Sequence, residues 1–226
     1  MTRTPPIRYL AVVIEASRQA QHGKPATLIL ASASPRRREI LTTAGVDFDA
    51  LPAEIEEASR PGESPPDLAE RLAREKALAV AGRLPDVPVR PVLGSDTIVV
   101  CRDAVLGKPR DAAHAVELLG RLMGRTHQVM TGIAVCWTDA GSAPSDVLSQ
   151  VVVSEVEMRA ASMAELEAYV ALGESLDKAG GYALQGEGRR FVVEVRGSRS
   201  NVIGLPLEET LALLERAGYA LAEAVR

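Results

Sequence analysis

The segment 28–41 holds the residues of this 226-residue chain whose types and spacing most clearly suggest chemistry. A short apolar run ends at Ser32 and Ser34, and Pro35 then opens a helix for which Ser34 is the expected N-cap. The first turn of that helix carries Arg36, Arg37 and Arg38. Free N–H groups at a helix start attract anions, whereas the helix dipole disfavours cations there. Because something negative should compensate the arginines, the segment predicts a phosphate site.

Two further candidates stand in apolar surroundings. Asp96 lies between two buried strand runs, where a carboxylate is costly unless it is paired, hydrogen-bonded or bound to metal. It either caps its own turn through Thr97 or serves as a metal ligand or general base. Lys76 belongs to a helical row of apolar residues at four-residue spacing. Its ammonium therefore either reaches solvent or points into a polar cleft.

Weaker candidates lie in polar segments. Three glutamates follow the second predicted strand: Glu54, Glu56 and Glu57. Strand alternation would place the first two on one side of the chain and the third on the other. Lys108 is the lone cation of a predicted turn, and Gln185 follows a glycine-bearing loop that could read a nucleobase edge through amide hydrogen bonds. Each of these is more often solvated surface, so none carries the argument alone.

Together the residues meet one chemical demand: cations for a polyphosphate, carboxylates for a divalent metal ion and a polar loop for a base. The chain has no G-x-x-x-x-G-K-[ST] phosphate loop. The two residues before Asp96 exclude a D-x-D-x-T nucleophile motif. Cys101 and Cys136 do not start a cysteine-phosphatase loop, and we expect both to be buried, reduced thiols. Water is therefore the expected nucleophile.

Composition narrows the class of protein. The formal net charge is −4 and aromatic residues make up 3% of the chain, which argues against a general nucleic-acid-binding protein. The longest clearly apolar run near the start, 10–14, is too short for a membrane span or a normal signal peptide. We therefore expect a soluble, cytoplasmic protein without a nucleic-acid or membrane partner.

The order of predicted elements indicates the fold. Helices and strands alternate in the first half, and two long strands, 127–137 and 148–159, follow in the second. Gly94-Ser95-Asp96 is expected to separate two strands, and Asp67 is expected to cap a helix, with Glu70 placed for a reciprocal cap. This pattern predicts an α/β protein with a mixed sheet and a cleft between two lobes.

The sequence also suggests a domain organisation. Residues 1–24 precede the first core strand and form an N-terminal extension of unknown role, with a surface helix over 7–21 or a tail as alternatives. Residues 25–226 are expected to form one domain, with a surface loop over 139–146.

The order of motifs resembles the Maf family of nucleoside triphosphate pyrophosphatases, and the resemblance runs from about residue 27 to residue 217. The matching motifs are SASPRR at 32–37, EIEE at 54–57, Lys76 in its helix, GSDT at 94–97, LGKP at 106–109, DKAGGY at 177–182, QG at 185–186 and NVIGLP at 201–206. Departures are small: Ser95 and Gly181 stand where alanine is common, and Arg38 adds a third cation.

The resemblance implies hydrolysis of a nucleoside triphosphate to the monophosphate and pyrophosphate with Mg²⁺ or Mn²⁺. It also implies the two-lobed α/β fold shared with inosine triphosphate pyrophosphatases, often as a homodimer. By position it assigns catalytic roles to Lys76, Asp96 and Lys108. Together with the helix start read from the residues, it assigns substrate binding to Ser32, Ser34, Arg36, Arg37, Thr97 and Gln185. It assigns metal binding to Glu56 and Asp96.

Several functions remain open at this point. The loop at 177–186 is similar to the family branch that acts on dTTP and UTP, including modified uridine nucleotides, whereas a sister branch prefers 7-methyl-GTP. A general phosphomonoesterase is a further enzymatic alternative. The family's association with septum formation makes a non-catalytic, nucleotide-binding regulator of cell division another alternative. The full set of acids and bases favours the enzyme.

Overall fold

A computed structural model describes residues 27–84, 89–138 and 146–221. The predicted N-terminal extension, its helix over 7–21 and most of the predicted loop over 139–146 lie outside these residues. The strands are β1 (Leu28–Leu30), β2 (Phe48–Ala50), β3 (Pro91–Cys101), β4 (Ala104–Leu106), β5 (Thr126–Trp137), β6 (Leu148–Met158) and β7 (Val192–Arg196). The α-helices are α1 (Pro35–Thr43), α2 (Pro65–Ala81), α3 (Ala112–Leu122), α4 (Met163–Val170), α5 (Arg199–Ile203) and α6 (Leu207–Arg216).

The strands form one mixed sheet, as predicted. Its order is β2-β1-β3-β5-β6-β7, and β4 pairs with β3 beside this path. β1 runs parallel to both β2 and β3, whereas β3, β5, β6 and β7 pair antiparallel. The parallel part arises because helices α1 and α2 carry the chain back to the same edge between strands.

The structure corrects the expectation that Gly94-Ser95-Asp96 separates two strands. β3 runs unbroken through these residues, and its register with β5 is continuous from Pro91 opposite Trp137 to Val100 opposite Gln128. The ladders keep this stretch extended, because β5 on one side and β1 and β4 on the other pair with the backbone of β3. Asp96 therefore lies within a central strand.

The start of α2 is also corrected. Ser64, rather than Asp67, is the N-cap: its Oγ accepts a hydrogen bond from the Asp67 N–H, and Pro65 occupies the first helical position. A proline suits that position because its missing N–H would have no helical partner. Glu70 makes no reciprocal cap and instead accepts a hydrogen bond from the Ser149 hydroxyl at 2.6 Å.

Helix α2 packs unusually close to the sheet because the facing strand positions are glycines. A Cβ added to Gly94 would lie 2.1 Å from the Ala73 carbonyl oxygen, and one added to Gly132 would lie 2.1 Å from the Ala69 carbonyl oxygen. Only alanines and glycines allow the two backbones to approach so closely. The approach brings Lys76 of α2, which is buried, next to β3.

The buried core is divided, which confirms a cleft between two lobes. One apolar cluster joins β1, α1, α6 and the adjoining halves of β3 and β5. A second cluster joins α3, α4 and the far ends of β5 and β6. The cavity described below is lined by residues at the margins of both clusters. None of the helices in the described ranges combines the length and apolarity needed to span a bilayer.

Candidate active site

One cleft gathers nearly all of the residues selected from the sequence. It has a volume of about 610 Å³ and is walled by the start of α1, by α2 and β3, by the turn after β4 and by the segment 177–185. The predicted site residues that line it are Ser32, Ser34, Arg36, Arg37, Lys76, Asp96, Thr97, Lys108 and Gln185. Glu56 does not line the cleft.

Lys76 and Asp96 form a buried ion pair at the base of the cleft. The Lys76 ammonium donates a hydrogen bond to Asp96 Oδ1 at 2.6 Å, and both side chains are about 10% exposed. The same ammonium lies 2.5 Å from an oxygen of Glu57. A buried pair of this kind is costly to break, because removing one partner leaves the other charge without compensation. The alternative in which Lys76 reaches solvent is therefore wrong.

Glu57 replaces Glu56 as the second carboxylate of the site. The family resemblance assigned metal binding to Glu56, but Glu57 lines the cleft and Glu56 does not. Both glutamates lie in irregular backbone, because β2 ends at Ala50, so strand alternation does not decide their directions. Burial raises the pKa of Glu57, yet the hydrogen bond and charge of Lys76, with the charge of Lys108, outweigh burial and hold that pKa below its usual value. Glu57 is therefore ionised in the cleft.

Arg37 is buried among protein acceptors. Its Nε donates to the Gly204 carbonyl at 2.8 Å, and its two terminal nitrogens donate to the Ser32 hydroxyl, the Ser95 carbonyl and the Thr97 hydroxyl. Burial lowers the pKa of Arg37, and the charge of Asp96 opposes that effect. Four of its five N–H groups are used, so Arg37 mainly ties α1, β3 and the end of α5 together at the cleft.

The start of α1 supplies an anion-binding surface. Ser34 is the N-cap, as predicted, and its hydroxyl accepts from the Arg37 N–H at 3.5 Å, while the Ser34 N–H donates to the Ser32 hydroxyl at 3.2 Å. Arg36 extends across the cleft mouth to Asp177, 2.9 Å away. Sequence reasoning had treated Asp177 only as part of a loop. A phosphate would have to replace this exposed carboxylate as the partner of Arg36.

The remaining predicted residues line the cleft without forming the central cluster. Lys108 is exposed and has no ion-pair partner among the described residues. Gln185 is exposed at the rim of the cleft, and its side chain makes no hydrogen bond within the described part of the chain. The Thr97 hydroxyl contacts that of Thr131 at 3.0 Å and donates to the Gly204 carbonyl at 3.3 Å.

The carboxylates of the cleft could serve a divalent cation only together with other ligands. Among the residues that the structure describes, no group of three or more His, Cys, Asp or Glu side chains could hold a metal ion. Two carboxylates, Asp96 and Glu57, nevertheless converge on one cation, the ammonium of Lys76. Protein-bound Mg²⁺ is commonly held by one or two carboxylates together with substrate phosphates. The residues fit a cation that is shared with a polyphosphate.

The fold and the site define an α/β protein whose central cleft brings arginine, lysine and carboxylate side chains together. A model of the Maf family, described as Maf-like protein, matches residues 27–217. The chain therefore belongs to the Maf family, as the motif order suggested.

Curated relatives support this assignment along nearly their whole length. A protein of Anaeromyxobacter dehalogenans (strain 2CP-C) named dTTP/UTP pyrophosphatase is 52% identical over 194 residues, which cover 86% of this chain and 95% of the relative. Proteins of the same name are 50% identical in Salmonella typhimurium over 83% of this chain and 91% of the relative, and in Myxococcus xanthus over 86% and 94%.

Proposed function

We propose that this protein hydrolyses nucleoside triphosphates, dTTP and UTP above all, to the nucleoside monophosphate and pyrophosphate. The observation that carries the proposal is the Lys76–Asp96 pair at the base of a cleft whose mouth holds Arg36 and Lys108. Relatives named dTTP/UTP pyrophosphatase at about half identity support both the reaction and the nucleotide.

In this proposal the triphosphate lies along the start of α1. Ser32 donates its hydroxyl hydrogen, Arg36 exchanges Asp177 for a phosphate, and Lys108 neutralises charge from the opposite wall. The main role of Arg37 is to hold Ser32 and Thr97 in place through hydrogen bonds, and phosphate binding is not its only role. Phosphoryl transfer depends mainly on such positioning and charge neutralisation.

Asp96 orients the attacking water and accepts its proton. The water oxygen attacks the α-phosphorus, the bond from that phosphorus to the bridging oxygen breaks, and pyrophosphate leaves with both electrons of that bond. The hydrogen bond from Lys76 holds the Asp96 carboxylate in place. The positive side chains around the cleft then stabilise the leaving pyrophosphate.

Asp96 and Glu57, rather than Glu56, would hold the divalent cation, Mg²⁺ or Mn²⁺, that we expect this site to use. Such a cation supplies neutralisation of the triphosphate and makes its phosphorus more electrophilic. Because Lys76 lies between the two carboxylates, its ammonium has to yield part of this space when the cation and substrate bind.

Gln185 is proposed to read the base. A side-chain amide offers both a donor and an acceptor, which match the N3–H and C4 carbonyl of uracil or thymine. The 7-methyl-GTP branch has no specific observation in its favour here. A purely regulatory nucleotide-binding protein is disfavoured because such a protein has no need of a buried acid–base pair.

The deciding experiment is a product assay. The purified protein is incubated with dTTP, UTP, dCTP, dATP, dGTP and 7-methyl-GTP in the presence of Mg²⁺ or Mn²⁺, with a chelator control, and pyrophosphate is measured separately from orthophosphate. Pyrophosphate from dTTP and UTP is the expected result. Orthophosphate alone, or nucleotide binding without turnover, would overturn the proposal.

Three expectations from the sequence stay predictions: the homodimer, the cytoplasmic location and the single domain over 25–226. Multi-angle light scattering of the purified protein tests the first of them, with a mass of about twice 24.0 kDa as the expected result.

A further inference from the structure

Gln185 can select a base only if its backbone is held still, because its own side chain has no fixed contact. The residue is exposed at the rim of the cleft, while Leu184 before it is buried. Gly186 after it adopts a φ of 115°, a conformation that favours glycine. The orientation of the Gln185 amide therefore depends on the contacts that hold the backbone before and after this residue.

On the upstream side, a tyrosine from α4 holds the backbone. The Ala183 N–H donates to the Tyr169 hydroxyl at 3.1 Å, and Tyr169 is fully buried. Its ring lies edge-on against Phe191, with ring centroids 5.4 Å apart. A rigid, buried ring thus anchors the residue two positions before Gln185.

On the downstream side, a carboxylate holds the backbone. The Glu187 N–H donates to both oxygens of Glu174, at 3.2 and 3.1 Å. A Cβ on Gly186 would lie 2.8 Å from one of these oxygens, so the carboxylate lies directly against the glycine. Glu174 thus anchors the residue two positions after Gln185.

The two anchors lie close enough to interact. Burial is the main reason that the pKa of Tyr169 is raised to about 12, and the charge of Glu174 raises it further. The Tyr169 hydroxyl accepts the hydrogen bond from the Ala183 N–H. Gly188 leaves the space for this hydroxyl, since a Cβ there would lie 2.7 Å from it.

We infer that Tyr169 and Glu174 form a clamp that positions Gln185 for base recognition. This inference rests on the proposed function and deepens it by naming what determines its specificity. Neither residue lines the cleft, so both act through Gln185 and neither touches the substrate. The clamp sets the nucleotide that is chosen, while the Lys76–Asp96 pair sets the rate of cleavage.

The test compares base selectivity, defined as kcat/KM for dTTP divided by kcat/KM for dCTP, in wild type, Tyr169→Phe, Glu174→Ala and Glu174→Gln. We expect selectivity to fall by about tenfold in the first two variants, the scale of one or two lost hydrogen bonds. The value of kcat at saturating dTTP should stay within about twofold of wild type. Glu174→Gln keeps an acceptor oxygen and should restore most of the selectivity.

Tyr219→Phe is the matched control, because it removes a hydroxyl from another buried tyrosine in the other apolar cluster. It should leave selectivity unchanged. Thermal unfolding of every variant, and amide hydrogen exchange over 182–187, check that the fold is retained and that the loss of protection is confined to that segment.

The outcomes are distinguishable. If wild type releases no pyrophosphate from any nucleotide, the proposed function fails and this inference falls with it. If wild type is active but Tyr169→Phe and Glu174→Ala keep its selectivity, the clamp alone is refuted. A fall in kcat with unchanged selectivity, or no rescue by Glu174→Gln, also refutes it.

Discussion

The ammonium of Lys76 lies 2.6 Å from the carboxylate of Asp96, although one residue comes from helix α2 and the other from strand β3. The distance is short because Gly94, two residues before Asp96, has no side chain. A Cβ there would lie 2.1 Å from the Ala73 carbonyl oxygen and 2.7 Å from the Ala77 nitrogen. The charged pair at the base of the cleft therefore depends on an uncharged contact between two backbones.

Asp96→Asn should lower kcat by on the order of 10² to 10³ while leaving the protein folded, because it removes one preorganised charged group that also takes the proton from water. Asn retains an acceptor for Lys76. Steady-state kinetics with dTTP and a thermal melt measure the two effects. Asp49→Asn is the control, since Asp49 pairs with Arg90 on an exposed surface. Near-normal turnover in Asp96→Asn would refute the assignment.

Gly132→Ala should destabilise the protein by about 3 kcal/mol, because its new Cβ would meet the backbone of α2 at Ala69 rather than a flexible side chain. Displacement of α2 also moves Lys76, so kcat should fall as well. Denaturant unfolding and kinetics measure both. Gly120→Ala is the control: nothing lies within 4 Å of its Cβ, and alanine favours a helix by about 1 kcal/mol. Equal effects of the two changes would contradict this account.

Arg37→Lys should destabilise the protein by about 2 to 3 kcal/mol, because lysine cannot reproduce the planar set of donors and leaves buried acceptors such as the Ser95 and Gly204 carbonyls without partners. KM for dTTP should rise at the same time. The control is Arg38→Lys, at an exposed position of the same helix turn. A wild-type unfolding curve for Arg37→Lys would show that these hydrogen bonds contribute nothing.

The stability of the fold should decrease as the pH is lowered, because His127 is buried. Its Nε2 is hydrogen-bonded to the Tyr182 hydroxyl at 2.8 Å. Burial lowers the pKa of His127 from 6.5 to about 4, so between these values the unfolded chain binds a proton that the folded protein does not. The free energy of unfolding should therefore decrease by about 2 to 3 kcal/mol from pH 7 to pH 4.5 through this residue.

His127→Gln keeps a donor for Tyr182 but cannot titrate. Urea unfolding at a series of pH values should give this variant a flatter profile than wild type between pH 4.5 and 6.5. Parallel profiles would mean that His127 does not carry the dependence.

Gln185→Ala should reduce the preference for dTTP and UTP over other nucleotides while leaving the dependence on divalent metal unchanged, because Gln185 lines the cleft and its amide is the group that we propose to contact the base. Kinetics over the nucleotide panel at several Mg²⁺ concentrations measure both properties. An unchanged nucleotide profile would remove Gln185 from base recognition.

Much of the architecture could be predicted from local pattern. The helix start at Ser34 is confirmed. Local pattern also predicts a helix start at Asp111 and a capping box of Ser162 with Glu165, and the structure has both. The turn at Arg102 and Asp103 is confirmed too, with φ values of 50° and 64°. These features depend on neighbouring residues alone, so sequence suffices to find them.

The sequence-based predictions failed where residues far apart in the chain determine the local structure. The sequence predicted two strands separated at Gly94, because the pairing of β3 with β5 cannot be read from local pattern. The family resemblance assigned metal binding to Glu56, whereas the irregular backbone after β2 places Glu57 next to Lys76. The short helix α5 was missed because its Asn201 is held by Val129 and Ser154, which lie far away in the chain.

By itself the sequence determined the Maf family, the mixed α/β fold and the set of residue types at the cleft, because motif order and periodicity are read along the chain without knowledge of how it packs. Only the tertiary structure decided which contacts, and therefore which role, each of those residues has. In the folded protein Arg37 is buried and hydrogen-bonded to several elements, and Arg36 pairs with Asp177. Lys76 lies between two carboxylates. Charges act through distance and burial, and both are fixed only when helices and strands pack together.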